Sequence, residues 1–127
     1  MARRVRRFSA FTAVDTALAV GVETVVATVS GLVSEFPDGH VVIEGTVAVT
    51  GVAGSTRVVL RVRRAGVAGA LVGEVSITQD VGAVAVSATV AVEDDFTAGA
   101  PPVYVLTALQ AGAGSTATQA DLLALVT

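Results

Sequence analysis

Catalysis needs nucleophiles, bases or metal ligands that can be brought together, and this chain has few residues of those types. His40 is its one histidine and cysteine is absent, so a single chain cannot build a zinc site from imidazole and thiolate. His40 follows Pro37-Asp38-Gly39, which reads as a turn. It is therefore expected as a polar turn residue, and only a threefold axis gathering three copies would make it a ligand. Glu93-Asp94-Asp95 is the one run of acids, and hard cations want several oxygens. It lacks the interleaved Asp/Asn/Gly spacing of a calcium loop, has no second carboxylate set opposite for acid–base work, and reads as a solvated loop. Ser9, Ser30, Ser34, Ser55, Ser76, Ser87 and Ser115 are scattered, none within a Gly-x-Ser-x-Gly elbow. Gly51-Val52-Ala53-Gly54-Ser55-Thr56 has neither the lysine nor the spacing of a phosphate loop and reads as a tight turn. No catalytic residue, metal ligand or cofactor site is assigned. The chain reads as non-enzymatic.

The arginines are more informative. Arg57, Arg61, Arg63 and Arg64 crowd one short segment, where they form a solvated face that guards a sheet edge or pair with acids such as Glu44 or Glu74. The aromatics that interleave with basic residues in single-strand nucleic-acid binders are missing from this segment, so nucleic acid is not the expected partner. The other four, Arg3, Arg4, Arg6 and Arg7, sit at the N-terminus beside Phe8 and Phe11. The remaining four arginines face eleven acids, so the chain is a basic arm on an acidic body. Arginine and aromatic side chains are enriched at the centres of protein interfaces. Arg3, Arg4, Arg6, Arg7, Phe8 and Phe11 are therefore read as partner-binding residues. Ala17-Leu18-Ala19 could serve a secretory leader as a cleavage site, but Asp15 interrupts the apolar stretch before it, so an uncleaved arm is the expectation.

Over half of the 127 residues are apolar (53%), yet no run nears the ~18 that a membrane-spanning helix requires. Four Phe and one Tyr cannot build the aromatic girdles of an outer-membrane barrel. No membrane association is expected. The apolar content lies in Val and Ala along short alternating runs, and such a chain is expected to hide surface against copies of itself or a partner.

From Thr16 onward the period is two. Thr24–Val29 is β-branched almost throughout. Ile43, Gly45, Val47 and Val49 share a face. Val58, Leu60 and Val62 point inward with Arg57, Arg61 and Arg63 outward. Leu71, Gly73, Val75 and Ile77 line the next strand, and Val84, Val86, Ala88, Val90 and Val92 the one after. The stretch Glu93–Thr127 reads as an acidic, Pro/Gly-rich bend feeding a hairpin across Ala111–Ser115. Leu122, Ala124 and Val126 continue the alternation, so the last segment is a strand and not a helix. About eight short antiparallel strands predict an all-β, jelly-roll-like β-sandwich over residues 16–127, with residues 1–15 as an extended basic arm.

The order of parts resembles the small jelly-roll domains of bacteriophage structural proteins. The resemblance rests on Pro37-Asp38-Gly39 before a strand, Thr56–Arg64 as a central strand, Asp95-Phe96-Thr97-Ala98-Gly99 leading into Val103-Tyr104-Val105-Leu106, and a Leu-rich final strand. Such domains are similar to tumour-necrosis-factor-like trimeric jelly rolls. They serve as capsid decoration (cement) proteins or as modules of tail fibres and spikes. The resemblance implies a homotrimer whose partner is a major capsid protein, located on the virion surface. It also leaves a fibre or spike domain that binds a host receptor as the alternative.

Overall fold

The computed structural model describes residues 5–12, 16–50, 56–79, 85–111 and 115–127. These residues are all-β. Nine strands follow in order: β1 (Arg6–Thr12), β2 (Thr16–Leu18), β3 (Thr24–Val29), β4 (Asp38–Thr50), β5 (Thr56–Arg64), β6 (Leu71–Gln79), β7 (Ala85–Thr97), β8 (Tyr104–Ala111) and β9 (Ser115–Val126). One sheet has the order β1-β9-β4-β7 and the other β3-β8-β5-β6, every pairing being antiparallel. The short β2 continues along β9 beyond β1, so both segments occupy one sheet position. Eight positions in two four-stranded layers, with every connection from β2 onward except β5–β6 crossing between layers, make the jelly roll expected from the alternation.

Alternation explains the core. Val41, Ile43, Val47 and Val49 of β4 face Val58, Leu60 and Val62 of β5 and Leu106 and Ala108 of β8, while Leu122, Ala124 and Val126 of β9 extend the same layer; all are buried. The layers approach closely at two glycines. A Cβ on Gly45 would lie 2.7 Å from Leu106 Cδ1, and one on Gly73 would lie 2.3 Å from Val92 Cγ1. Both neighbours belong to the opposite sheet, so a side chain at either site would have to push the layers apart.

Three expectations change. The last two strands are not a hairpin, because β8 lies in one sheet and β9 in the other. Each presents an apolar face to the same core from opposite sides, and alternation alone does not distinguish that from pairing edge to edge. Leu71 is exposed and Val72 packs on the core instead, because a bulge between Val62 and Arg63 shifts the β5–β6 register by one residue. The segment expected as an arm is, over Arg6–Thr12, an edge strand paired to β9 along its whole length. Arg3 and Arg4 lie outside the described residues, as does the Gly51–Ser55 turn.

Candidate functional site

Each outer face of the sandwich, and each end, is a separate chemical surface. On the β3-β8-β5-β6 face, β5 projects Arg57, Arg61 and Arg63. Arg61 sits directly opposite Glu74 of β6, and its Nε donates to Glu74 Oε2 at 2.7 Å. The second acid comes from the turn before β3. Glu23 accepts from Arg61 Nη1 at 2.6 Å and from Arg63 Nε at 2.7 Å and Nη2 at 3.1 Å. Arg63 Nη1 also donates to the Gly69 carbonyl, and Arg57 Nε to Ser76 Oγ. The pairing foreseen with Glu74 is present, Glu44 takes no part, and Glu23 was not foreseen. Burial alone pushes the Glu23 carboxyl up, but the hydrogen bonds from Arg63 and Arg61 outweigh it and hold the carboxyl below the usual range. The face is closed. Beneath these side chains even the outward-pointing Val59, Val105 and Thr107 are buried.

The acidic run lies within β7 and is not a solvated loop. Asp94 points inward at one end of the core, where its Oδ2 accepts from Arg64 Nε at 2.6 Å and from the Tyr104 hydroxyl at 2.7 Å. Arg64 also donates to the Asp95 carbonyl. Asp94 belongs to one sheet and its two donors to the other, so the cluster clamps the layers together. For Asp94, burial raises the pKa and the hydrogen bonds from Arg64 and Tyr104 more than offset it, leaving the carboxyl below the ordinary value. Burial, then the hydrogen bond to Asp94, pushes the Tyr104 hydroxyl well above its ordinary value. His40 Nδ1 lies 2.8 Å from Asp95 Oδ1 on the neighbouring strand, placing His40 within β4 and not in a free turn. Among the described residues, no three His, Asp or Glu side chains converge as a metal site.

The six residues read as partner-binding separate. Arg3 and Arg4 are outside the described residues. Arg6 pairs with Glu35 at 3.0 Å, and Phe8 turns inward to pack on the core. Arg7 and Phe11, of the opposite parity, face outward, and Phe11 is 60% exposed. They border a concavity of about 340 Å³ on the outer face of the β1-β9-β4-β7 sheet, together with Ser9, Glu44, Thr46, Asp121 and Leu123.

One end of the sandwich has its own character. Strands β1, β6 and β8 start there, and the β3–β4 and β5–β6 connections turn there. It carries Val5, Val33, Val67, Leu71 and Val103, each between 37% and 59% exposed. Half of the large apolar side chains exposed among the described residues gather at this rim. No sequence pattern marked them, because they come from five separate connections or strand ends.

No known family's sequence profile matches the chain, and no curated protein matches it. Solved structures do. A structure of the infectious bursal disease virus Gx strain is similar over 98% of this chain, with a TM-score of 0.53 at 14% identity. The VP2 subviral particle of the same virus is similar over 97%, with a TM-score of 0.50 at 13% identity. This chain spans about a third of the length of those viral chains (32% in each case). At such identity the likeness is one of fold: a β-sandwich of the kind found in a viral particle.

Proposed function

We propose that the protein is a non-enzymatic virion structural protein, a decoration protein that docks on the exterior of a capsid as a homotrimer. The observation that carries this reading is the apolar rim at one end. Five large aliphatic side chains from separate segments are held out to solvent by a rigid, internally cross-tied body, as a docking surface requires. The likeness of fold to a protein of a viral particle supports it, as does the use of Glu23, Arg61, Arg63, Arg64 and Asp94 in ties within the chain. Arg3 and Arg4 precede Val5 in the sequence and are of a residue type that binds carboxylates of a partner. Three linked copies would raise occupancy through avidity, without a tight individual contact.

The test is binding to capsids assembled without the protein. Full-length chain is expected to saturate them at many copies per particle, whereas a fibre-tip role would give few. Removing residues 2–5, which leaves β1 whole, is expected to lower occupancy. Absence of saturable binding by the full-length chain, or a monomeric mass in solution, would refute the proposal; unchanged occupancy after the deletion would show that residues 2–5 take no part in docking. A longer deletion through residue 11 would be uninformative, because it removes an edge strand and part of the core.

A further inference from the structure

We infer that the concavity on the outer face of the β1-β9-β4-β7 sheet is a binding site for a neutral saccharide. Its geometry follows from register. β9 forms the floor with Asp121 and Leu123; β1 supplies Arg7, Ser9 and Phe11 on one side, and β4 supplies Glu44 and Thr46 on the other. Arg7 stands opposite Leu125, while Leu123 stands between Ser9 and Glu44. The guanidinium and the Glu44 carboxylate therefore spring from strands two spacings apart, about 9.5 Å, with leucines between them. Neither these two nor Asp121 enters an ion pair among the described residues. An arginine and two acidic side chains thus share one concavity with no salt bridge among the described residues, beside an exposed aromatic ring.

The mixture selects the ligand. A cationic peptide would meet Arg7, and an anionic ligand would meet two carboxylates. A sugar hydroxyl both donates and accepts. Vicinal hydroxyls can donate to Glu44 and Asp121 while accepting from Arg7 and Ser9, and the Thr46 hydroxyl, hydrogen-bonded to Thr89 Oγ1 at 3.1 Å, offers its remaining donor or acceptor. The apolar C–H face of a pyranose ring has Phe11 and Leu123 to lie against. The volume of about 340 Å³ falls at the small end of the usual range for ligand sites, suited to one or two rings. The site lies on a sheet face and the docking rim at an end, so the inference does not rest on the capsid reading.

The test is a titration of the full-length chain with methyl glucoside, methyl galactoside, methyl mannoside, lactose and maltose, followed by backbone amide NMR. A tetra-arginine peptide and sialyllactose serve as charged comparators. At least one neutral sugar is expected to shift amides around Phe11, Thr46 and Leu123 with a dissociation constant of about 1–10 mM, as a shallow open site allows. Phe11→Ala and the double variant Glu44→Gln/Asp121→Asn are each expected to weaken it about tenfold or more without changing the unfolding temperature. No shift with any neutral sugar would overturn the inference. So would shifts only with the arginine peptide or only with sialyllactose, or sugar binding that both variants leave intact.

Discussion

The two outer faces carry similar residues to opposite ends. On the β3-β8-β5-β6 face, strand register places Arg61 directly across from Glu74, and the Glu23 turn folds over both Arg61 and Arg63. On the β1-β9-β4-β7 face, register interposes leucines between Arg7 and Glu44, and the charges stay apart. Cross-strand neighbours one spacing apart can pair; those two apart leave a gap for something else. The difference teaches that charge composition says little about a sheet face until the register is known. One face holds the fold together, and the other is free to bind.

That contrast can be broken by substitution. The largest effect is expected from Glu23→Ala. It removes the acid shared by two partly buried guanidinium groups, leaving Arg61 with Glu74 and Arg63 with the Gly69 carbonyl, and should cost about 2–3 kcal/mol in chemical denaturation, somewhat under the ~3–5 kcal/mol of a fully buried pair. A change within 0.5 kcal/mol would show the closed face to be ordinary surface charge.

Acid should act on the same ties. Glu23 and Asp94 both titrate below their usual ranges in the folded state. Their stabilisation is therefore complete above the unfolded pKa of about 4 and is lost as pH falls through the lower folded values. The unfolding temperature is expected to drop steeply below about pH 4, and Asp94→Asn should flatten that slope while lowering stability at pH 7 by about 1–3 kcal/mol. An unchanged slope in the variant would mean that Asp94 is not coupled to the fold. Tyr104 gives the alkaline counterpart. Its pKa is raised, so the stabilisation is present below about pH 10 and lost as pH rises beyond it, and Tyr104→Phe should remove that loss.

A smaller gain is expected at Ala65, a non-glycine residue at φ 68° in the β5–β6 turn. Ala65→Gly should relieve left-handed strain and stabilise by up to about 1 kcal/mol. The smallest effect belongs to the open face. Glu44→Ala should stay within about 0.5 kcal/mol of the parent, since its carboxylate enters no ion pair among the described residues. A loss matching that of Glu23→Ala would erase the contrast between the faces.

Much of the fold could be read from period-two alternation. The inward sets on β4, β5 and β9, and the outward arginines of β5, follow from residue type and parity alone. What could not be read was anything set by long-range register. Glu23 meets Arg61 and Arg63 across 38 and 40 residues, with no local signal in its Gly-Val-Glu-Thr setting. The Val62/Arg63 bulge inverted Leu71 and Val72, and an apparent hairpin proved to be a crossing between layers. Phe8 and Phe11 looked equivalent as aromatics of a charged arm. Once β1 pairs with β9, their odd spacing sends one inward and the other to solvent. The rim was illegible for a similar reason, since its five aliphatics are neighbours only after the strands align.

The most direct measurement is capsid occupancy by a variant carrying Val67→Asp, Leu71→Asp and Val103→Asp, weighed against the parent and Phe11→Ala by mass measurement of purified particles. If the rim is the docking surface, the triple variant keeps its unfolding temperature and its β-rich circular dichroism but fails to bind, while Phe11→Ala binds fully. Parental occupancy by the folded triple variant would contradict that assignment outright.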